Sequence, residues 1–179
     1  MTNVGTVYGQ ALYSLAREEG LSEGILKELT ALSEAFSQEP AFLRLLSSPN
    51  LTKEERCRIV DNSFREKMHI YVVSFLKILT EKGYIRHFSE CVQAYREQYN
   101  MDNGILPVKA VTAVPLTAEQ AERLSGKLAR LTGKTIALTN RVDTACLGGV
   151  RLDYDGKCVD DTVSHRLDAV RSLLKNTVL

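Results

Sequence analysis

A chain of 179 residues, 44% hydrophobic and 25% charged, has the balance of a globular protein of one domain or two small ones. A formal net charge of +1 argues against a partner held mainly by a strong uniform field, such as bulk nucleic acid. The most apolar run, Ile70 to Leu79, is interrupted by Lys77 and is far short of the about 20 residues a membrane-spanning helix needs, so membrane association is expected only through partners.

Val4, Val7, Tyr8, Ala11, Leu12 and Leu15 recur at helical spacing and predict an amphipathic helix from about Val4 to Glu18, ended by Gly20. A second helix is expected from about Ser22 to Gln38, with Ile25, Leu29, Leu32 and Phe36 on one stripe. Pro40 opens a short third through Phe42, Leu43, Leu45 and Leu46, since proline is tolerated in a first helical turn. After the loop Ser47 to Asn50, Thr52-Lys-Glu-Glu55 reads as a capping box. It starts a fourth helix carrying Cys57, Ile59, Val60 and Phe64 to about Arg65. A fifth, from about His69, turns Val72, Phe75, Leu76 and Leu79 inward until Gly83, and Ile85, Phe88, Val92, Tyr95 and Tyr99 mark a sixth. Six helices on short connections predict an up-and-down bundle over residues 1–103.

Asn100 to Gly104 is a turn-rich boundary, and the chain changes character after it. Residues 1–103 hold 12 Lys/Arg against 14 Asp/Glu, and residues 104–179 hold 11 against 8, which fits two separate surfaces. Ile105 to Val114 is rich in β-branched residues and holds Pro107 near its start, where it can sit at a strand's edge. Thr117-Ala-Glu-Gln120 is a second capping box, opening a helix with Ala121, Leu124, Leu128 and Leu131 on one side and stopped by Gly133. Lys134 to Val142 is a further strand.

Val150, Leu152 and Tyr154 then alternate with Arg151 and Asp153, and Asp155-Gly156 suits a type I′ hairpin turn into a return strand, Lys157 to Asp160. That turn sets Asp153 opposite Cys158 and Leu152 opposite Val159. Gly148 and Gly149 at the entry mark a bulge or a close approach by other backbone. Asp160, Asp161 or Thr162 can cap a last helix on which Val163, Leu167, Val170 and Leu174 share a face. The fold class is therefore α+β in two domains: a six-helix bundle, residues 1–103, and a small mixed α/β domain, residues 104–179, in the order β-α-β-β-β-α.

The search for chemistry yields little. Asp160, Asp161 and His165 could converge, but an aspartate pair at a helix start is more often a cap. His69 and His87 lie near helix ends. Cys57, Cys91, Cys146 and Cys158 are widely spaced, without a Cys-x-x-Cys pair, and read as reduced, buried thiols. No metal, cofactor or catalytic residue is expected. Arg123, Lys127, Arg130 and Lys134 give one helix a basic side, without the interleaved aromatics that base stacking uses. In the first helix, small Gly9 and Ala11 beside Tyr8 and Leu12 leave room for another helix, either within the bundle or from a partner.

Several of these stretches together resemble one family. Tyr8-Gly-Gln-Ala-Leu-Tyr13 is similar to an opening Tyr-Ala-x-Ala-Leu-Phe, and Phe75-Leu-Lys-Ile-Leu-Thr-Glu-Lys-Gly83 to a helix end Phe-Leu-x-Leu-Leu-x-Glu-Asn-Gly. Ile136-Ala-Leu-Thr-Asn-Arg-Val-Asp143, then Leu147-Gly-Gly-Val-Arg-Leu152, Val159-Asp160 and Arg166-Leu167, follow a C-terminal signature in order and spacing. The family is the delta subunit of bacterial and chloroplast ATP synthases, called the oligomycin-sensitivity-conferring protein in mitochondria. The chain departs from its pattern at Tyr84, at Asp143-Thr-Ala-Cys146 and at Asp160-Asp-Thr-Val-Ser-His-Arg-Leu167.

The resemblance implies a non-catalytic stator subunit at the cytoplasmic face of the cell membrane, clamping the catalytic head to the peripheral stalk. It implies that an alpha-subunit N-terminal helix enters a groove between the first and fifth helices, here Tyr8, Ala11, Leu12, Ile78 and Leu79. The C-terminal domain would meet the stalk's b subunits, with the signature residues Gly148, Gly149, Val150, Asp160, Arg166 and Leu167 shaping that domain rather than touching the partner. The competing readings are a stand-alone nucleic-acid-binding or adaptor protein and, behind it, an enzyme.

Overall fold

The structure, a computed structural model, describes residues 4–48, 50–165 and 167. The chain divides into two compact units, residues 1–99 and 100–179.

The first unit holds α1 (Val4–Glu18), α2 (Ser22–Gln38), α3 (Pro40–Leu46), α4 (Lys53–Phe64), α5 (Ile70–Glu81), a 3-10 turn (Ile85–His87) and α6, Phe88–Asp102, whose end crosses into the second unit. Local chemistry marks the ends. Gly20 and Gly83 take φ of +69° and +76°, a region other residues enter only with strain. The Thr52 hydroxyl accepts from the Glu55 amide at 3.2 Å while the Glu55 carboxylate accepts from the Thr52 amide at 2.8 Å, completing the first capping box. His69 caps α5: its Nδ1 accepts from the Tyr71 amide at 3.3 Å, and its own amide donates to Glu28 of α2 at 2.9 Å.

One core joins all six helices. Phe36 is its hub, meeting the rings of Phe42, Phe64 and Phe88 at 5.0–6.3 Å. Tyr95 meets Tyr13 edge-on at 5.3 Å and donates its hydroxyl to the Ser22 carbonyl at 2.9 Å. Burial of the Tyr95 ring raises its pKa.

The face that α1 buries differs from the expected one. Gly5, Gly9, Leu12, Tyr13 and Ala16 are buried, whereas Val7 and Leu15 remain 48% and 40% exposed. The cause is close packing on α6: a Cβ at Gly9 would sit 2.3 Å from the Cys91 carbonyl oxygen, and one at Gly5 would meet the Glu90 Cβ at 2.5 Å. Small residues, not the bulkiest stripe, admit the neighbouring backbone. A second difference is that the sixth helix begins as a 3-10 turn and continues through Asn100–Asp102, expected as boundary turn; the positive φ of +61° at Gly104 is where helical geometry can no longer continue.

The second unit contains β1 (Ile105–Thr112), α7 (Ala118–Thr132), β2 (Thr135–Val142), a 3-10 turn (Thr144–Cys146), β3 (Val150–Tyr154) and β4 (Lys157–Asp160), with residues 163–165 helical again. The strand order is β2-β1-β3-β4, β1 running parallel to β2 and antiparallel to β3. Pro107 lies near the start of β1, before the stretch Lys109 to Thr112 that pairs with β3, where its missing N–H costs no bond to that strand. The hairpin has the register read from its turn, Asp153 opposite Cys158 and Leu152 opposite Val159, with φ of +48° at Asp155 and +70° at Gly156 as a type I′ turn requires.

Leu106, Val108, Ala110 and Thr112 alternate along β1 on its buried face. α7 starts at the second capping box, Thr117 with Gln120, ends at Gly133 with φ +68°, and packs on β2. Ala121, Leu124 and Leu128 are half-buried, but Leu131 is 82% exposed rather than on the packed side. It sits in the last turn before Gly133, at the end of the helix. Asn140 ties the loop before α7 to the sheet, donating to the Ala110 carbonyl at 3.1 Å and the Thr112 hydroxyl at 2.9 Å while accepting from the Leu116 amide at 3.0 Å.

Candidate partner-binding surfaces

Because α1 is rotated to seat its small residues on α6, its outward stripe is apolar. Val7, Ala11 and Leu15, at i, i+4 and i+8, are all exposed. On α5 the outward positions Ile70, Ser74 and Ile78 repeat the same spacing, and Ile78 is 45% exposed. Tyr8 of α1 rests against Tyr84, just beyond the end of α5, with ring centroids 6.0 Å apart. Apolar stripes at helical spacing in solvent are an arrangement that receives another helix.

Of the five residues expected to line a groove, Ala11 and Ile78 are at the surface and Tyr8 is half-buried. Leu12 and Leu79 lie inside the core, 5% and 0% exposed, and can act only as the floor that holds their neighbours outward. Val7 and Leu15 were singled out only as part of a helix's apolar face. The signal that could have found them is Gly5-x-x-x-Gly9, two glycines one turn apart marking the face that another helix covers.

In the second unit Gly149 and Asp160 serve backbone geometry. Gly149 has φ +80°, and a Cβ there would stand 2.4 Å from the Asp161 carbonyl oxygen. The strand entry and the start of the last helix are thereby pressed together, joined by Val163 N–H to the Gly148 carbonyl at 3.0 Å and Asp161 N–H to the Val150 carbonyl at 3.1 Å. Thr162 caps that helix, its hydroxyl accepting from the His165 amide at 3.3 Å. Asp160 supports the cap by accepting from the hydroxyl and amide of Thr162 at 2.7 and 2.9 Å, bonds that hold its carboxyl below the ordinary aspartate range. Leu167 is exposed, and Arg166, Val170 and Leu174 lie outside the described residues.

His87 pairs with Glu90 at 3.1 Å one turn away. Burial pushes the Cys91 thiol up to about 11 and raises that of Cys57. Cys158 is exposed rather than buried, because β4 is an edge strand, and its thiol is raised chiefly by hydrogen bonding to Asp153. These shifts oppose the thiolate that a nucleophile needs. Among the described residues no three His, Cys, Asp or Glu side chains converge as a metal ion would need, and no helix is long and apolar enough to cross a membrane.

The described residues thus form a helical unit that turns apolar side chains outward and a small α/β unit in which Gly149 and Asp160 set backbone geometry. Residues 4–174 match the family model described as ATP synthase delta (OSCP) subunit, and the chain belongs to that family. It is 31% identical over 172 residues to the ATP synthase subunit delta of Alkaliphilus oremlandii, with 96% of each chain covered. It is 28% identical to that of Clostridioides difficile, covering 96% of this chain and 95% of the relative. Its fold is similar to a chain in the cryo-EM structure of the Toxoplasma gondii mitochondrial ATP synthase hexamer, with a TM-score of 0.75, 16% identity, and 97% and 98% of the two chains covered. As a member of this family the protein is a non-catalytic stator subunit of an ATP synthase, part of the peripheral stalk.

Proposed function

We propose that residues 1–103 bind the catalytic head by taking the N-terminal helix of an alpha subunit along the outward stripes of α1 and α5, and that residues 104–179 meet the b subunits of the stalk. The complex would then carry the protein at the cytoplasmic face of the membrane, held there by its partners. The observation that supports this most is the outward turn of Val7, Ala11 and Leu15 on α1 together with Ile78 on α5. Fully burying an exposed aliphatic side chain contributes about 1.5–3 kcal/mol, so completing the burial of Val7, Leu15 and Ile78 contributes roughly 1 kcal/mol each.

The mechanical task needs no reacting group. A stator must stop the head from turning with the rotor, so that torque from the proton-driven rotor strains the catalytic sites instead of spinning the whole head. Such a strut needs large, slowly dissociating contacts at both ends on a rigid frame. The shared core, the capped helices and the Gly9 contact with α6 supply that rigidity on the head side.

The test is calorimetric titration of the full chain with a synthetic alpha-subunit N-terminal helix, comparing the parent with Ala11→Asp and Ile78→Asp. One-to-one binding that weakens at least roughly tenfold in each variant, with unchanged circular dichroism and little salt dependence, is the expected result. Absence of binding to both the peptide and the intact head, or variants that bind like the parent, would reject it.

A further inference from the structure

Tyr8 of α1 and Tyr84, just beyond α5, meet at one end of the two outward apolar stripes. Tyr8 is one residue on from Val7, and Ala11 and Leu12 follow it at i+3 and i+4, so the three are neighbours on the surface of α1. Tyr84 is turned back over the last turn of α5: Gly83 takes a φ of +76°, and the Tyr84 amide donates to the Leu79 carbonyl at 2.7 Å, beside Ile78. The end marked by Val7 and Ile78 thus holds two aromatic rings, 6.0 Å apart and inclined at 57°.

Neither ring is a loose surface side chain. Tyr8 packs against the core. The Tyr84 carbonyl accepts from the His87 amide at 2.9 Å, and its ring meets the His87 ring at 6.5 Å and 66°. His87 is held in turn by Glu90 of α6 at 3.1 Å. The row closes on α1, because the Glu90 Cβ lies 2.5 Å from where a Cβ on Gly5 would be. Ile85, next in the chain, is 1% exposed and pins the segment to the core. Both rings are therefore packed against neighbours, yet Tyr84 keeps 36% of its surface exposed. The fold by itself does not call for an aromatic ring at that position, since backbone closes the turn and Ile85 supplies the burial.

We propose that Tyr8 and Tyr84 form a rigid end wall to the partner groove, and that Tyr84 fixes the register of the partner helix by admitting only glycine, alanine or serine opposite the two rings. The proposal rests on the reading of the α1 and α5 stripes as the seat of an alpha-subunit helix. Each stripe runs from i to i+8, about 12 Å along its helix axis. A partner free to slide along so short an apolar strip finds competing registers one turn, about 5.4 Å, apart. The wall removes that choice: a bulky side chain there overlaps a ring that its neighbours hold in place, whereas a small one lets the backbones close. Tyr84 is thus a specificity determinant that acts by exclusion.

The experiment titrates the full chain with the synthetic alpha-subunit N-terminal helix and with a set of that peptide's variants in which each small residue in turn is enlarged to leucine, a good helix former. The proteins are the parent, Tyr84→Ala, Tyr84→Leu and Tyr84→Phe, with circular dichroism and melting to verify their folds; Tyr84→Leu retains an apolar contact with Tyr8 and carries the test if the alanine variant does not fold. One enlarged peptide is expected to bind the parent and Tyr84→Phe roughly tenfold or more weakly than the unmodified peptide, and to recover most of that loss on Tyr84→Ala and part of it on Tyr84→Leu. A uniform structural effect of the protein variants gives no such rescue confined to one peptide position. If the unmodified peptide binds one-to-one but no enlarged peptide is rescued, the end wall is overturned and the groove reading stands. Rescue by Tyr84→Phe shows the hydroxyl, not the braced ring, to be the obstacle and also overturns it. A parent chain that binds neither the unmodified peptide nor the intact head overturns the groove reading and the wall with it.

Discussion

Replacing Gly9 by alanine probes the contact that sets the orientation of α1. The added methyl group would lie 2.3 Å from the Cys91 carbonyl oxygen and 2.9 Å from the Ala94 Cβ, so restoring ordinary contact at about 3.4 Å requires α1 and α6 to part by about 1 Å. The obstructing atom is helix backbone and cannot swing aside as a side chain could. We therefore set the overpacking cost near the upper end of the usual range, about 3 kcal/mol. Alanine's better helix propensity offsets about 1 kcal/mol, leaving a net loss of about 2 kcal/mol. Gly126→Ala is the internal control: with no steric opposition it should gain up to about 1 kcal/mol. Tyrosine fluorescence during urea or thermal unfolding reports mainly on the helical unit, since of the seven tyrosines only Tyr154 lies beyond Tyr99. For a unit of that size a loss of about 2 kcal/mol lowers Tm by roughly 10 °C. If Gly9→Ala unfolds at or above the parent midpoint, the α1–α6 contact does not orient α1 as described, and the outward stripe loses its explanation.

Three other perturbations reach different parts of the molecule. Gly149→Ala adds a side chain at φ +80° and 2.4 Å from the Asp161 carbonyl oxygen, so it should destabilise the second unit by about 2 kcal/mol or more in denaturant titrations while leaving the tyrosine-reported transition in place. Asp160 has a depressed pKa in the folded state, which means its stabilising effect is present above the unfolded value of about 3.9 and is lost as pH falls through the folded value; NMR titration should place it below a free aspartate, and Thr162→Ala should move it back up. Alkylation followed by mass spectrometry should label exposed Cys158 first and buried Cys91 last, and Asp153→Asn should quicken Cys158 by removing the hydrogen bond that raises its thiol.

Features determined within a few residues were legible in the sequence. The two capping boxes at Thr52 and Thr117, the glycine stops at Gly20, Gly83 and Gly133, and the hairpin register around Asp155-Gly156 each depend on contacts between near neighbours in the chain. The family was legible too, because its signature fixes local backbone geometry: Gly149 must be glycine for its φ and for the approach of Asp161. Which face of a helix is buried is another matter, since it depends on the shape of a surface contributed from elsewhere in the chain. Hydrophobic periodicity favoured Val7, Ala11 and Leu15 as part of the apolar face of α1, but α6 accepts the glycine side and leaves them outside. On α5 the helical spacing already turned Leu79 inward and left Ile78 off that stripe, and the core buries the first and leaves the second exposed. The elements, most of their ends and the family can be read from residue order, because each depends on near neighbours in the chain. Which apolar residues stay outside follows from how the helices pack, because burial is a property of pairs of surfaces and a linear pattern describes one of them at a time.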